Sequence, residues 1–230
     1  MNRDDADAPL RAEVAADLLE RYDRPGPRYT SYPTALEFHE GFAEEDYRDR
    51  LQRANAREGE PLSLYVHLPF CEERCLFCGC HVIITPHKEI AGSYLDLLER
   101  EIELVAAELP DRRRVAQLHW GGGTPTYSSP EELRRLYDML TGHFTLEADA
   151  ELAIEVDPRK TTGEQMEVLG DLGFNRLSMG VQDFTPKVQE AVNRVQSVEQ
   201  TRRLVEKGRA VGFDSVNIDL IYGLPHQEPE

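Results

Sequence analysis

The stretch Tyr65-Val66-His67-Leu68-Pro69-Phe70-Cys71-Glu72-Glu73-Arg74-Cys75-Leu76-Phe77-Cys78-Gly79-Cys80 decides how the rest of the sequence is read. It opens as an apolar run, breaks at a proline and then gathers all four cysteines of the chain between positions 71 and 80. A secreted disulfide scaffold spreads its cysteines to staple distant loops. Crowding of this kind instead suggests thiolates converging on a metal in a reducing compartment. Iron–sulfur clusters are held by Cys thiolates, and one loop can reach several corners of a cubane. The same cysteines could supply an all-thiolate zinc site, although zinc sites usually pair two short hooks separated by a dozen or more residues. If Cys71, Cys75 and Cys78 each ligate one iron, the fourth iron of a [4Fe–4S] cluster stays open for a small molecule.

Outward from this loop, short apolar runs alternate with amphipathic stretches. The runs Leu62–Leu68, Val115–Trp120, Leu152–Val156, Arg176–Val181 and Val216–Ile221 read as strands. Helices are expected between them at 88–109, 130–142, 162–172, 186–194 and 198–211, the first on the spacing of Tyr94, Leu95, Leu97, Leu98, Ile102, Leu104 and Val105. Strands alternating with helices argue for parallel βαβ units. The chemistry-bearing residues follow the strand ends. The cysteines follow the first strand, Gly121-Gly122-Gly123-Thr124 the second, Glu155 and Asp157 end the third, Gln182 and Asp183 the fourth, and Asp219 lies late in the fifth. Groups gathered at the C-terminal ends of parallel strands are what a barrel-type α/β fold uses for its active site.

Each motif has a bland reading beside the functional one. The glycine run suits close approach of a ligand to backbone N–H groups, or is an ordinary turn. Glu155 can accept hydrogen bonds from hydroxyls or an ammonium group, while Asp157 suits loop bracing. Arg194 can pair with a carboxylate or lie solvated at a helix end. His67, His81, His87 and His119 are expected to pack or face solvent.

The spacing Cys-x3-Cys-x-aromatic-Cys after a first strand, with a glycine-rich second-strand end, resembles the radical S-adenosylmethionine (SAM) superfamily. More narrowly, Tyr65 to Cys71, Cys78-Gly79-Cys80, His119 to Thr126 and the segment Gly26-Pro27-Arg28-Tyr29-Thr30-Ser31-Tyr32-Pro33 resemble the oxygen-independent coproporphyrinogen III oxidases. The resemblance implies a [4Fe–4S] cluster on Cys71, Cys75 and Cys78, with Cys80 outside the ligand set. It implies one SAM against Tyr65, Gly122 and Glu155, and a second SAM lined by Phe77, Gly123, Thr124, Gln182, Arg194 and Asp219. The reaction it implies belongs to heme biosynthesis. An external one-electron reductant and SAM yield a 5′-deoxyadenosyl radical, and two propionates of coproporphyrinogen III become the vinyl groups of protoporphyrinogen IX. A related branch carries heme as a chaperone; Cys80, Arg194 and the arm Arg24–Pro33 favour the oxidase.

The expected architecture is therefore α/β: a partial (β/α) TIM-like radical SAM barrel, truncated after about five strands, behind an N-terminal helix (Arg11–Glu20) and an extended arm. Residues 1–57 are assigned to the helix and arm, and 58–230 to the incomplete barrel, with a C-terminal domain absent. Prolines 25, 27 and 33 exclude regular structure in the arm, where Arg28, Tyr29 and Tyr32 are placed to close the site over substrate carboxylates. The 230 residues are 40% apolar and carry a net charge of −17. An acidic surface argues against nucleic acid and anionic membranes, and no apolar run reaches the length of a membrane span. Met1-Asn2-Arg3-Asp4-Asp5 is acidic and lacks the apolar core of a secretory signal. A cytoplasmic monomer is expected.

Overall fold

A computed structural model describes residues 15–23, 37–57 and 59–228. Contacts divide the chain after Glu44. In the first unit, helix α1 (Ala16–Tyr22) buries none of its residues. It overlaps the expected Arg11–Glu20 helix, whose first residues lie outside the described ones, as do Arg28, Tyr29 and Tyr32 of the arm. The division falls at the first residue of helix α2 (Glu44–Asn55), the rest of which opens the second unit. Asn55 donates from Nδ2 to Asp111 Oδ2 at 2.9 Å, and the Arg112 guanidinium donates to the carbonyls of Ala54, Glu60 and Pro61.

Five strands follow as one parallel sheet, β1 (Leu62–Leu68), β4 (Arg114–Gly122), β5 (Thr145–Val156), β6 (Arg176–Gln182) and β7 (Ser215–Leu220), each paired with its predecessor. A separate two-stranded ladder, β2 (Phe70–Cys71) and β3 (Ile83–Ile84), frames the cysteine loop. Helices α3 (Ile90–Ala107), α4 (Pro130–Thr141), α5 (Gly163–Asp171), α6 (Pro186–Ala191) and α7 (Val198–Ala210) form the crossovers. The sheet is not closed among the described residues, which is the partial α/β barrel expected from the strand–helix alternation.

Side-chain alternation separates a core face from a site face. On β6, Leu177, Met179 and Val181 are fully buried, whereas Ser178, Gly180 and Gln182 are half-buried on the opposite side. The buried set joins Trp120, Ile154, Leu133, Leu136, Met166, Leu169 and Phe174 in one core between strands and helices. On α3 the helical spacing holds for Leu95 and Ile102, which are buried, but Leu97 and Leu104 face solvent. Three helix starts carry reciprocal side-chain caps: Ser129 with Glu132, Thr162 with Gln165, and Ser197 with Gln200. These caps fix where the loop after each strand end gives way to its helix.

The expected helix 186–194 is shorter. It stops at Ala191, because Asn193 takes a left-handed conformation at φ 54° and the Arg194 amide turns back to Gln189 O at 2.8 Å. That reversal is a helix C-terminal cap, and it swings Arg194 off the helix into the interior.

Candidate metal and cofactor centre

The strand ends meet around a cavity of about 250 Å3. Of the residues singled out in the sequence, Cys71, Cys75, Phe77, Cys78, Gly122, Gly123, Thr124, Glu155, Gln182, Arg194 and Asp219 line it. Tyr65 is not part of the wall; it stands beside it, stacked on His119 with ring centroids 5.7 Å apart. Cys80 lines the cavity too, and is the exposed cysteine of the four.

The cysteine loop is built by its neighbours. The β2–β3 ladder holds its start, with Thr85 N donating to Cys71 O at 2.9 Å. The end of α6 holds its middle, through Leu76 N to Val192 O at 3.0 Å and Asn193 Nδ2 to Arg74 O at 2.9 Å. Glu72 is clamped between Lys88 Nζ at 2.6 Å and Lys160 Nζ at 2.7 Å, and these two ammonium groups hold its carboxyl down to about 2. Lys88 in turn sits 3.8 Å from the centroid of the Tyr127 ring.

Among the described residues, no three His, Cys, Asp or Glu side chains stand close enough to share one metal ion. A cubane asks for something different, since each thiolate takes its own iron corner, and three cysteines facing one cavity fit that demand. Burial pushes the Cys71 thiol up, against the lowering effect of the Thr124 hydroxyl at 3.5 Å. A metal, more than the protein around it, would therefore favour the thiolate at Cys71.

On the site face, Glu155 is the best-defined anion. His119 Nε2 lies 3.0 Å from its Oε1, and this hydrogen bond outweighs burial and holds the carboxyl below its ordinary range. The Gly122 amide adds a longer contact to Oε2 at 3.4 Å. The His67 ring donates from Nε2–H to the His81 carbonyl at 2.9 Å, and its Nδ1 lies 3.0 Å from the Tyr65 hydroxyl. His67 and His119 thus brace Tyr65 and Glu155, a role their sequence context did not signal.

The glycine run works differently from its sequence reading. Its amides are not free to donate to a ligand: Gly123 N donates to Leu68 O and Thr124 N to Phe70 O, each at 2.9 Å, and Gly122 N is turned to Glu155. What the missing side chains allow is close packing of the protein on itself. A Cβ on Gly123 would lie 2.7 Å from Phe70 O, and one on Gly122, where φ is +115°, would lie 2.7 Å from the His67 ring.

At the far wall, Gln182 holds φ at 71°, uncommon for a residue with a side chain, beside a register shift between β6 and β7. Asp219 accepts from the Ser178 hydroxyl at 3.2 Å and from Asn217 Nδ2 at 2.7 Å. Arg194 is buried, with Nη1 2.9 Å from Asp157 Oδ2 and Nη2 donating to Gly180 O. Its Nε is buried without a partner. Buried donors rarely stay unsatisfied, so this atom fits a cavity that takes a polar ligand. The sequence places Asp157 among the strand-end groups with loop bracing as its bland reading, and does not single out Arg159, the second buried arginine at this wall. Asp157 directly follows the end of β5 at Val156, and Arg159 lies just beyond Pro158.

The model of the radical SAM superfamily matches residues 65–230. The chain belongs to the radical SAM superfamily. Within this superfamily it is 50% identical over 217 residues to the oxygen-independent coproporphyrinogen III oxidase of Pseudomonas aeruginosa, covering 94% of this chain and 47% of the relative. It is 52% identical over 213 residues to that of Escherichia coli, covering 93% and 46%. The solved structure of coproporphyrinogen III oxidase from Escherichia coli, described as a radical SAM enzyme, superposes with a TM-score of 0.83 at 49% identity, over 93% of this chain and 47% of that one. The chain therefore spans about half the length of the curated relatives it matches. Among the described residues no helix is long and apolar enough to cross a membrane.

Proposed function

We propose that this chain supplies the cluster- and SAM-binding part of an oxygen-independent coproporphyrinogen III oxidase. The observation that carries the reading is half-identity, over more than nine-tenths of the chain, to enzymes of that name. Cys71, Cys75 and Cys78 would hold a [4Fe–4S] cluster, leaving Cys80 free. Tyr65, Gly122 and Glu155 would face the SAM beside it, and Phe77, Gly123, Thr124, Gln182, Arg194 and Asp219 would line a second SAM. When bound, these groups supply a 5′-deoxyadenosyl radical, made with one electron from an external reductant, for the oxidative decarboxylation of two propionates of coproporphyrinogen III.

The chain's own part is holding, orienting and shielding. Glu155, kept ionised by His119, accepts hydrogen bonds from hydroxyl or ammonium groups. Phe77, Val82, Ile84 and Val156 contribute apolar wall, which limits water around a reactive species. The protein would work in the cytoplasm, as a monomer.

The test is anaerobic turnover in a protein of the relatives' length that carries this chain, with SAM and a one-electron reductant. Formation of protoporphyrinogen IX, dependent on Cys71, supports the reading. Stable heme binding and transfer to an acceptor, without loss of the propionate carboxyls, would instead indicate the heme chaperone branch; the oxidase names of the relatives favour the enzyme.

A further inference from the structure

Cys75 is the buried cysteine of the loop, and two guanidinium groups point at its sulfur. Arg194 Nη1 lies 3.5 Å from Cys75 Sγ and Arg159 Nη2 lies 3.7 Å from it. Both arginines hang on one carboxylate. Arg159 reaches both oxygens of Asp157, with contacts of 2.8 to 3.1 Å, and Arg194 meets Oδ2 at 2.9 Å. All three side chains are about nine-tenths buried.

The charges do not cancel inside this group. Asp157 can neutralise one guanidinium, and the other carboxylate near Arg159, Glu73, is 3.8 Å away, half exposed and shared with Lys160. An excess of positive charge therefore stands behind the Cys75 sulfur. Unpaired buried charge is expensive, and a thiolate at Cys75 would balance it. Cys71, by contrast, meets the neutral hydroxyl of Thr124.

Resting on the proposed cluster at Cys71, Cys75 and Cys78, we propose that Arg159 and Arg194, held by Asp157, donate to the Cys75 thiolate and raise the reduction potential of that cluster. The physical reason is charge. Reduction adds one electron, with no proton or bond change, and part of the added negative charge falls on the ligand sulfurs. Hydrogen bonds to those sulfurs and nearby positive charge favour the reduced form. Arg159 is the cleaner probe, because Arg194 also belongs to the proposed second SAM site; Arg159 acts as a positioning residue, through Cys75.

The experiment is a dithionite titration of the anaerobically reconstituted chain without SAM, followed by electron paramagnetic resonance, with iron and sulfide measured per chain. Arg159→Met, which removes donor and charge, should make reduction at least tenfold less favourable, about 59 mV for a one-electron couple. Arg159→Lys, which keeps the charge, should recover part of that loss. Asp157→Asn, which removes negative charge and leaves both arginines, should move the potential the opposite way. Opposite signs at two residues of one brace are not expected from a purely structural role.

Fully loaded Arg159→Met and Asp157→Asn proteins with reduction equilibrium constants within twofold of the parent's would overturn the proposal. If Arg159→Met holds no cluster, the signs from Asp157→Asn and Arg159→Lys decide it. Loss of the cluster from all three would also overturn it, since the brace would then build the site and not tune it. A parent chain that takes up no iron and sulfide would instead count against the cluster reading itself.

Discussion

Arg194 Nη1 and Asp157 Oδ2 lie 2.9 Å apart, joining the loop after α6 to the loop after β5, with both side chains about nine-tenths buried. Removing one partner of such a pair leaves the other desolvated and unmatched, at a typical cost of about 3 to 5 kcal/mol. Arg159 still holds Asp157, so Arg194→Met orphans no carboxylate and should cost less, about 1.5 to 3 kcal/mol for the lost charged hydrogen bonds, read by chemical denaturation. Arg202→Ala, which breaks a solvent-exposed pair with Glu199, should cost no more than about 1 kcal/mol.

Glu155 gives the fold an acid-sensitive element. Its folded-state pKa is depressed below the ordinary 4.5, first by the His119 hydrogen bond. A depressed carboxylate contributes stability that is fully present above its unfolded pKa and is lost as pH falls through the lower folded value. The stability difference between the parent and Glu155→Gln should therefore be steady above about pH 5.5 and shrink below about pH 4.5. Denaturant midpoints across that range check it; a gap that widened in acid would contradict it.

Gly123 packs against backbone, which cannot move aside as a side chain can. Gly123→Ala should destabilise by about 1 to 3 kcal/mol, the usual cost of overpacking, and displace the Pro69–Phe70 turn that leads into Cys71. Iron uptake on reconstitution should fall with it. Gly79→Ala, one residue past the third cysteine and with open space around the added methyl, is the control and should load normally.

Much of this was legible in the sequence because the alternation of apolar runs carries the fold. Leu62–Leu68 is strand β1 residue for residue, three other runs differ from their strands by one or two residues at the ends, and β5 begins at Thr145, seven residues before the expected Leu152. Positions at the strand ends were legible for the same reason: parallel strands put Gly122, Glu155, Gln182 and Asp219 at one mouth. What the sequence concealed was pairing at a distance. Nothing local marks Asp157 as the partner of Arg194, or His119 as the partner of Glu155 across neighbouring strands. Arg194 was read at the end of a helix because the apolar spacing continues; the left-handed turn at Asn193, which takes it inside, is a single-residue event without a periodic signal. The sequence leaves the amides of this run open between ligand and turn for a related reason, since the acceptors of Gly123 N and Thr124 N, Leu68 O and Phe70 O, come from a separate part of the chain.

The measurement that bears most directly on the central claim is electron paramagnetic resonance of the chain, reconstituted with iron and sulfide without oxygen and then reduced, with and without SAM. The cluster reading predicts a [4Fe–4S]+ signal that shifts when SAM is added, survives Cys80→Ser and disappears on replacing Cys71, Cys75 or Cys78. A fully loaded cluster whose signal ignores SAM, or bound zinc without labile sulfide, would contradict it.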